Sequence, residues 1–210
     1  MKWFRRFRKT DDFRFLDYGT GDGHFFSALS SGDIAGCHLV AYEPIENQFI
    51  QLMEKIETEN LPVEATKELP VSDNQFDMIL CAEVLEHFSA ENTLKMLGEI
   101  KRLLRQGGRL VISVPIETGL AGAAKNIVRL SIGQSHSGLT ARNFFRSILG
   151  QPFFRGSDTY ISSHVGFSHK RLEYLIIESG FDIFEKTYSP FPMFKSALNS
   201  QAFFICKKRS

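Results

Sequence analysis

Two carboxylates and three glycines concentrate the chemistry of the N-terminal half. Asp17 ends the apolar run Phe13-Arg-Phe-Leu-Asp17, and Gly19, Gly21 and Gly23 follow it at alternate positions, with Thr20 between the first two. Glycine in such a turn lets the backbone take φ > 0 and lets a ligand approach where a Cβ would collide, just ahead of the free N–H groups of a helix. A dinucleotide fingerprint counted from Gly19 needs its third glycine at position 24, which is His24, so pyrophosphate is disfavoured. Asp17 would also repel a diphosphate and attract a cationic group. The second acid, Glu43, closes Leu39-Val-Ala-Tyr-Glu43-Pro44, where a carboxylate can accept from both hydroxyls of a ribose. That spacing suits dinucleotide folds as well, and capping of the next helix is a purely structural use for Glu43.

The most specific stretch is Leu69-Pro-Val-Ser-Asp-Asn-Gln-Phe-Asp77-Met-Ile-Leu-Cys81-Ala-Glu-Val-Leu-Glu-His87-Phe, followed by Leu103-Leu-Arg-Gln-Gly-Gly-Arg-Leu-Val-Ile-Ser-Val114-Pro. Taken with Asp17-x-Gly19-x-Gly21-x-Gly23 and Glu43, these motifs resemble, in order, those of the class I S-adenosylmethionine-dependent methyltransferases, in particular small-molecule enzymes such as the ubiquinone-pathway O-methyltransferases. The resemblance covers roughly residues 13–115. It implies S-adenosyl-L-methionine as cofactor and S-adenosyl-L-homocysteine as product, with Cys81, Ala82 and Glu83 along the methionine portion. Ala65 and Thr66 stand where the family often has an Asp-Ala pair to meet the adenine amine, and Pro44 would pack on one face of the ring. His87 lies in a recurring family motif, and His164 stands where related enzymes bring a histidine near the acceptor; each also has a structural alternative as a hydrogen-bonding residue. His24, His136 and His169 complete the candidate bases. The chain lacks the Asn-Pro-Pro-Tyr motif and the Pro-Cys pair of base and glutamine methyltransferases, which favours a hydroxyl acceptor and leaves an amine or activated carbon open. Positioning does most of the work in methyl transfer, so one general base is enough.

Strands are expected at 13–17, 38–42, 63–65, 76–81 and 109–114, alternating with helices at 46–57 and 93–105, the pattern of a mainly parallel sheet covered on both faces. Phe49, Leu52, Met53 and Ile56 form one core stripe, and Leu94, Leu97, Ile100, Leu103 and Leu104 another. Ser89 is a candidate N-cap and Gly107-Gly108 a left-handed stop. A helix capped by Ser168 and ended by Gly180 leads to strands at 181–188 and 201–207, whose short connection makes them antiparallel. The fold class predicted is α/β, a Rossmann-like doubly wound seven-stranded sheet with an antiparallel last strand, plus a helical covering insertion at 116–163.

With 210 residues, 43% of them hydrophobic, the chain is expected to be a single domain over 1–210. A net charge of +1 gives no electrostatic case for nucleic acid. Cys37, Cys81 and Cys206 lack metal or disulfide spacing, so no metal is expected and a cytoplasmic setting fits. Residues 1–12 read as a basic, aromatic, solvated arm with at most peripheral membrane contact. Arginines and phenylalanines alternating between Lys125 and Tyr160 would suit an apolar acceptor with an anionic group, and equally the core of the covering segment itself or a partner interface. Two alternatives stay open: a regulatory or scaffolding subunit that binds the cofactor without turnover, and a nicotinamide-dependent reductase, which the glycine spacing opposes.

Overall fold

The computed structural model describes residues 2–8, 11–116, 167–191, 193 and 199–209. Seven strands, β1 (Phe13–Tyr18), β2 (Cys37–Tyr42), β3 (Val63–Thr66), β4 (Phe76–Ala82), β5 (Leu104–Pro115), β6 (Phe181–Ser189) and β7 (Gln201–Lys208), form one sheet in the order β3-β2-β1-β4-β5-β7-β6. β1 pairs in parallel with both β2 and β4, and β2 with β3. β6 and β7 are neighbours closed by a Ser200 N–H to Ser189 C=O bond of 2.9 Å at the end of their short connection, which makes the pair antiparallel. The predicted α/β class, with its seven-stranded sheet and antiparallel last strand, is the one observed. Chain order reverses between β1 and β4, and in open α/β sheets the crevice at such a reversal is where ligands bind.

β1 is buried at five of its six positions, as expected of a parallel strand covered on both faces. The helix α4 (Glu46–Glu59) buries Leu52 fully but leaves Met53 45% exposed, so its core stripe is narrower than the sequence suggested. Its chain reverses at Asn60 in the left-handed region, φ 50°. α5 (Ala90–Leu103) starts directly after Ser89, whose Oγ accepts from Asn92 N–H at 3.3 Å. It stops two residues earlier than expected because Leu104 already belongs to β5; Gly107, at φ 80°, turns the chain inside that strand segment and does not end the helix. α6 (His169–Glu178) is capped by Ser168, which accepts from Arg171 N–H at 3.4 Å.

Three short helices had no periodic signal: α1 (Lys2–Phe7), α2 (His24–Ser27) and α3 (Ser31–Ile34). Segments this brief bury too few residues to imprint a 3.6-residue pattern. α1 also corrects the picture of a solvated arm. Trp3 and Phe4 are 8% and 1% exposed, because these two rings turn into the core while Lys2, Arg5 and Arg6 face water.

The chain divides into two compact units: Met1–Ala82 with Gly98–Ile112 and Ile205–Ser210, and Glu83–Leu97 with Ser113–Phe204. The first is built on Phe15, Leu16, Phe26, Leu52, Phe76, Met78 and Ile79, and the second on Leu85, Leu97, Leu172, Ile176, Phe181 and Phe204, all at most 2% exposed. Apart from Ile116, the expected covering insertion lies outside the described residues.

Candidate functional site

Register places the sequence-predicted residues of the first unit in adjacent rows. Asp17 is paired with Ala41 on one side and Leu80 on the other, and Ala41 with Ala65; Tyr18, Tyr42 and Thr66 form the next row. The glycine loop therefore leaves the sheet beside the ends of β2, β3 and β4. Gly19, Gly21 and Gly23 take φ values of 74°, 61° and 76°, the left-handed region that motivated the glycine reading. Their reasons differ. A Cβ at Gly23 would lie 2.6 Å from Leu52 Cδ1 on α4, whereas one at Gly21 would meet nothing closer than Gln48 Oε1 at 3.7 Å. Gly23 lets the loop pack on α4, whereas at Gly21 a Cβ would make only ordinary contact with Gln48, so its positive φ alone calls for glycine.

Both acids are buried, Asp17 4% and Glu43 2% exposed. Asp17 accepts from the Thr20 hydroxyl at 2.8 Å. Burial, reinforced by the charge of Glu43 and only partly offset by that hydroxyl, pushes the Asp17 carboxyl up to about 7. Glu43 Oε2 accepts from Gly21 N–H and Oε1 from Ile45 N–H, each at 2.9 Å. This one carboxylate thus ties the crest of the glycine loop to the start of α4, so the helix-capping use of Glu43 is real. It does not exhaust the group, since each carboxylate oxygen retains a further acceptor position. Gly19 N–H and Thr20 N–H both donate to Tyr42 C=O, and Glu43 N–H donates to Thr66 C=O.

The Thr66 hydroxyl donates to Glu68 C=O at 2.8 Å and accepts from Glu68 N–H at 3.1 Å, a local turn that occupies the side chain. Pro44 and Ile45 are exposed at the rim. Cys81 is fully buried and Ala82 half-buried at the end of β4. Glu83 belongs to the second unit, where it takes φ 56° and accepts from Ser113 Oγ at 3.2 Å and Gln201 Nε2 at 3.4 Å. A non-glycine residue in this region carries backbone strain. His87 also lies in that unit, half-buried at the end of the 3₁₀ turn Leu85–His87. His24 is exposed beside the loop. His164 and His136 lie outside the described residues.

His169 differs from the other histidines. It is 3% exposed, its Nδ1 has no hydrogen-bond partner among the described residues, and burial, with the charges of Lys186 and Lys170, lowers it to about 4. Sequence reasoning also passed over Asp77, whose Oδ2 accepts from Arg14 N–H at 2.8 Å and whose Oδ1 pairs with Arg105 at 2.7 Å. The Phe-Asp of the motif thus joins β1, β4 and the start of β5 at the opposite end of the strands.

Residues 16–112 match the family model of a methyltransferase domain. The sheet order and the likeness to solved methyltransferases give the chain the fold of the class I methyltransferases, and its segment 16–112 is similar to the methyltransferase domain family. An uncharacterized protein of Methanocaldococcus jannaschii is 34% identical over 110 residues, 52% of this chain and 44% of its own length, so the chain spans less than half of that relative. Among solved structures, a SAM-dependent methyltransferase from Aquifex aeolicus superposes with a TM-score of 0.63 at 17% identity, over 98% of this chain and 87% of that one. The magnesium protoporphyrin IX methyltransferase of Synechocystis, solved with bound SAH, gives 0.62 at 14% identity, over 100% and 80%. No helix among the described residues is long and apolar enough to cross a membrane.

Proposed function

We propose that the chain binds S-adenosyl-L-methionine over the glycine loop and transfers its methyl group to a small-molecule acceptor, with a hydroxyl as nucleophile. One observation carries the reading: a left-handed three-glycine turn stands between two buried acids, and one of them, Glu43, is hydrogen-bonded to the turn itself. The residues fit a cationic nucleoside. Gly21 adds no Cβ to the crest of the loop, and Asp17 is an acid whose burial is relieved by a cationic partner. Glu43 keeps acceptor capacity for a ribose, while Pro44 and Ile45 offer an apolar face to a purine. Ala65 and Thr66 would contribute backbone at the adenine edge, because the Thr66 side chain is engaged by Glu68. Cys81, Ala82 and Glu83 are assigned to the amino-acid portion.

Bound there, the cofactor supplies a sulfonium-activated methyl group and leaves as a neutral thioether. The protein's own contribution is to hold the reactants and accept one proton. Glu43 fixes the loop crest, Asp17 balances positive charge, and the imidazole of His164 or His87 receives the proton of the acceptor hydroxyl. Titration calorimetry with S-adenosyl-L-methionine and S-adenosyl-L-homocysteine, combined with detection of homocysteine-product release in fractionated small-molecule extracts, tests the proposal. Binding with turnover supports it, binding without turnover in any fraction favours a regulatory subunit, and absence of binding refutes both.

A further inference from the structure

We propose that Phe4 and Arg8 are positioning residues for the glycine loop, holding the one-turn helix α2 that follows it where cofactor binding requires. This rests on the function proposed above. α2 has four residues and its cap, Gly23, contributes no side-chain bond. A single turn does not persist in water, because nucleation is unfavourable, so the place of α2 is set by how Phe25 and Phe26 pack. Phe26 is buried in the core of the first unit. The Phe25 ring stacks on Phe15, with centroids 5.1 Å apart and planes 24° apart, and Phe4 closes over it at 6.0 Å and 69°. Phe4 also meets Phe15 and Phe13 edge-on, at 5.0 and 5.7 Å, and is therefore a wedge between β1 and α2.

The other end of the same connection is gripped as well. The Arg8 guanidinium donates to the carbonyls of Gly32 at 2.5 Å, Asp33 at 2.8 Å and Ala35, at the end of α3. Arg5 forks the Asp33 carboxylate with two bonds of 2.7 Å, and Ser30 with Asp33 completes a capping box. Phe25 in α2 and residues 32–35 around the end of α3 are thus both fastened to residues 4–8. A loop already in place pays little ordering cost when a ligand arrives, whereas one that is only partly populated binds with its affinity reduced by that fraction. With Trp3 and Phe4 committed to the core, the segment acts inward on the loop, not outward on a lipid surface.

The test uses Arg8→Ala, with Arg8→Lys as the conservative variant; Phe4→Leu serves as a second probe because it refills most of the ring's volume, where Phe4→Ala would threaten folding. Losing the charged bonds of Arg8 should speed amide exchange across 23–34 about tenfold while β4 and β5 keep their protection. The dissociation constant for S-adenosyl-L-homocysteine should weaken by a similar factor, with turnover at saturating cofactor unchanged and Arg8→Lys in between. Unchanged exchange, uniform loss of protection through the unit, or faster loop exchange with unchanged affinity would each overturn the proposal. If the unsubstituted protein itself fails to bind S-adenosyl-L-homocysteine, the function reading falls while exchange alone decides whether Phe4 and Arg8 hold the loop.

Discussion

Replacing Asp17 by Asn should make the unliganded protein more stable at alkaline pH and erase a pH slope. The carboxyl is pushed from 3.8 to about 7, chiefly by burial and further by Glu43. An acid whose folded pKa exceeds its unfolded one binds more protons in the folded state, so stability falls as pH rises between those two values and levels off above the higher. At about 1.4 kcal/mol per unit, the loss between roughly pH 5 and roughly pH 8 is about 2.5 kcal/mol. Asn keeps an oxygen for the Thr20 hydroxyl but carries no charge, so the variant should lack this component. Urea denaturation of both proteins at the two pH values gives the difference directly. A cationic cofactor prefers the ionised acid, so its affinity for the natural protein should rise with pH through about 7 and lose that dependence in the variant. Equal pH slopes of stability for the two proteins would refute the burial argument, and a pH-independent affinity in the natural protein would refute the assignment of Asp17 to a cation.

Gly23→Ala should cost more stability than Gly21→Ala, since both have φ > 0 but only the former drives a Cβ into Leu52; Gly21→Ala should instead lose cofactor affinity, and thermal melts with and without S-adenosyl-L-homocysteine separate the two. His169, lowered to about 4 by burial and nearby lysines, binds fewer protons folded than unfolded, so stability should rise with pH from about 4 to about 6.5. In His169→Phe that rise, about 3 kcal/mol at most, should vanish from the denaturation profile. Asp77→Ala strips the acceptor from Arg14 N–H and the partner from Arg105 and should cost about 1–3 kcal/mol in urea unfolding without changing cofactor affinity, because the residue lies at the far end of the strands.

Strand positions were legible in the sequence because parallel strands are continuous apolar runs bounded by turn residues, and the ends of β1, β2 and β4 fell within a residue of expectation. The left-handed loop was legible for a similar reason: alternate glycines admit few other backbones. Tertiary packing was not. A single turn such as α2 carries no period, and nothing local in Lys2–Phe7 says that its rings are covered by β1 and Phe25. The buried state of Asp17 likewise depends on strands more than twenty residues away in the chain. Asp77 was seen as part of a motif but not as a clamp, because its partners Arg14 and Arg105 become neighbours only when β1 and β5 flank β4.

Glu43 shows a consequence for redesign. Because the acid that the proposed function assigns to the sugar also fastens Gly21 and Ile45, substitution to admit a bulkier or differently hydroxylated donor removes an anchor from two backbone segments at once. Engineering of donor selectivity in this scaffold therefore has its cheaper route at the Pro44–Ile45 rim, where the side chains are exposed and the Glu43 bond reaches only the backbone.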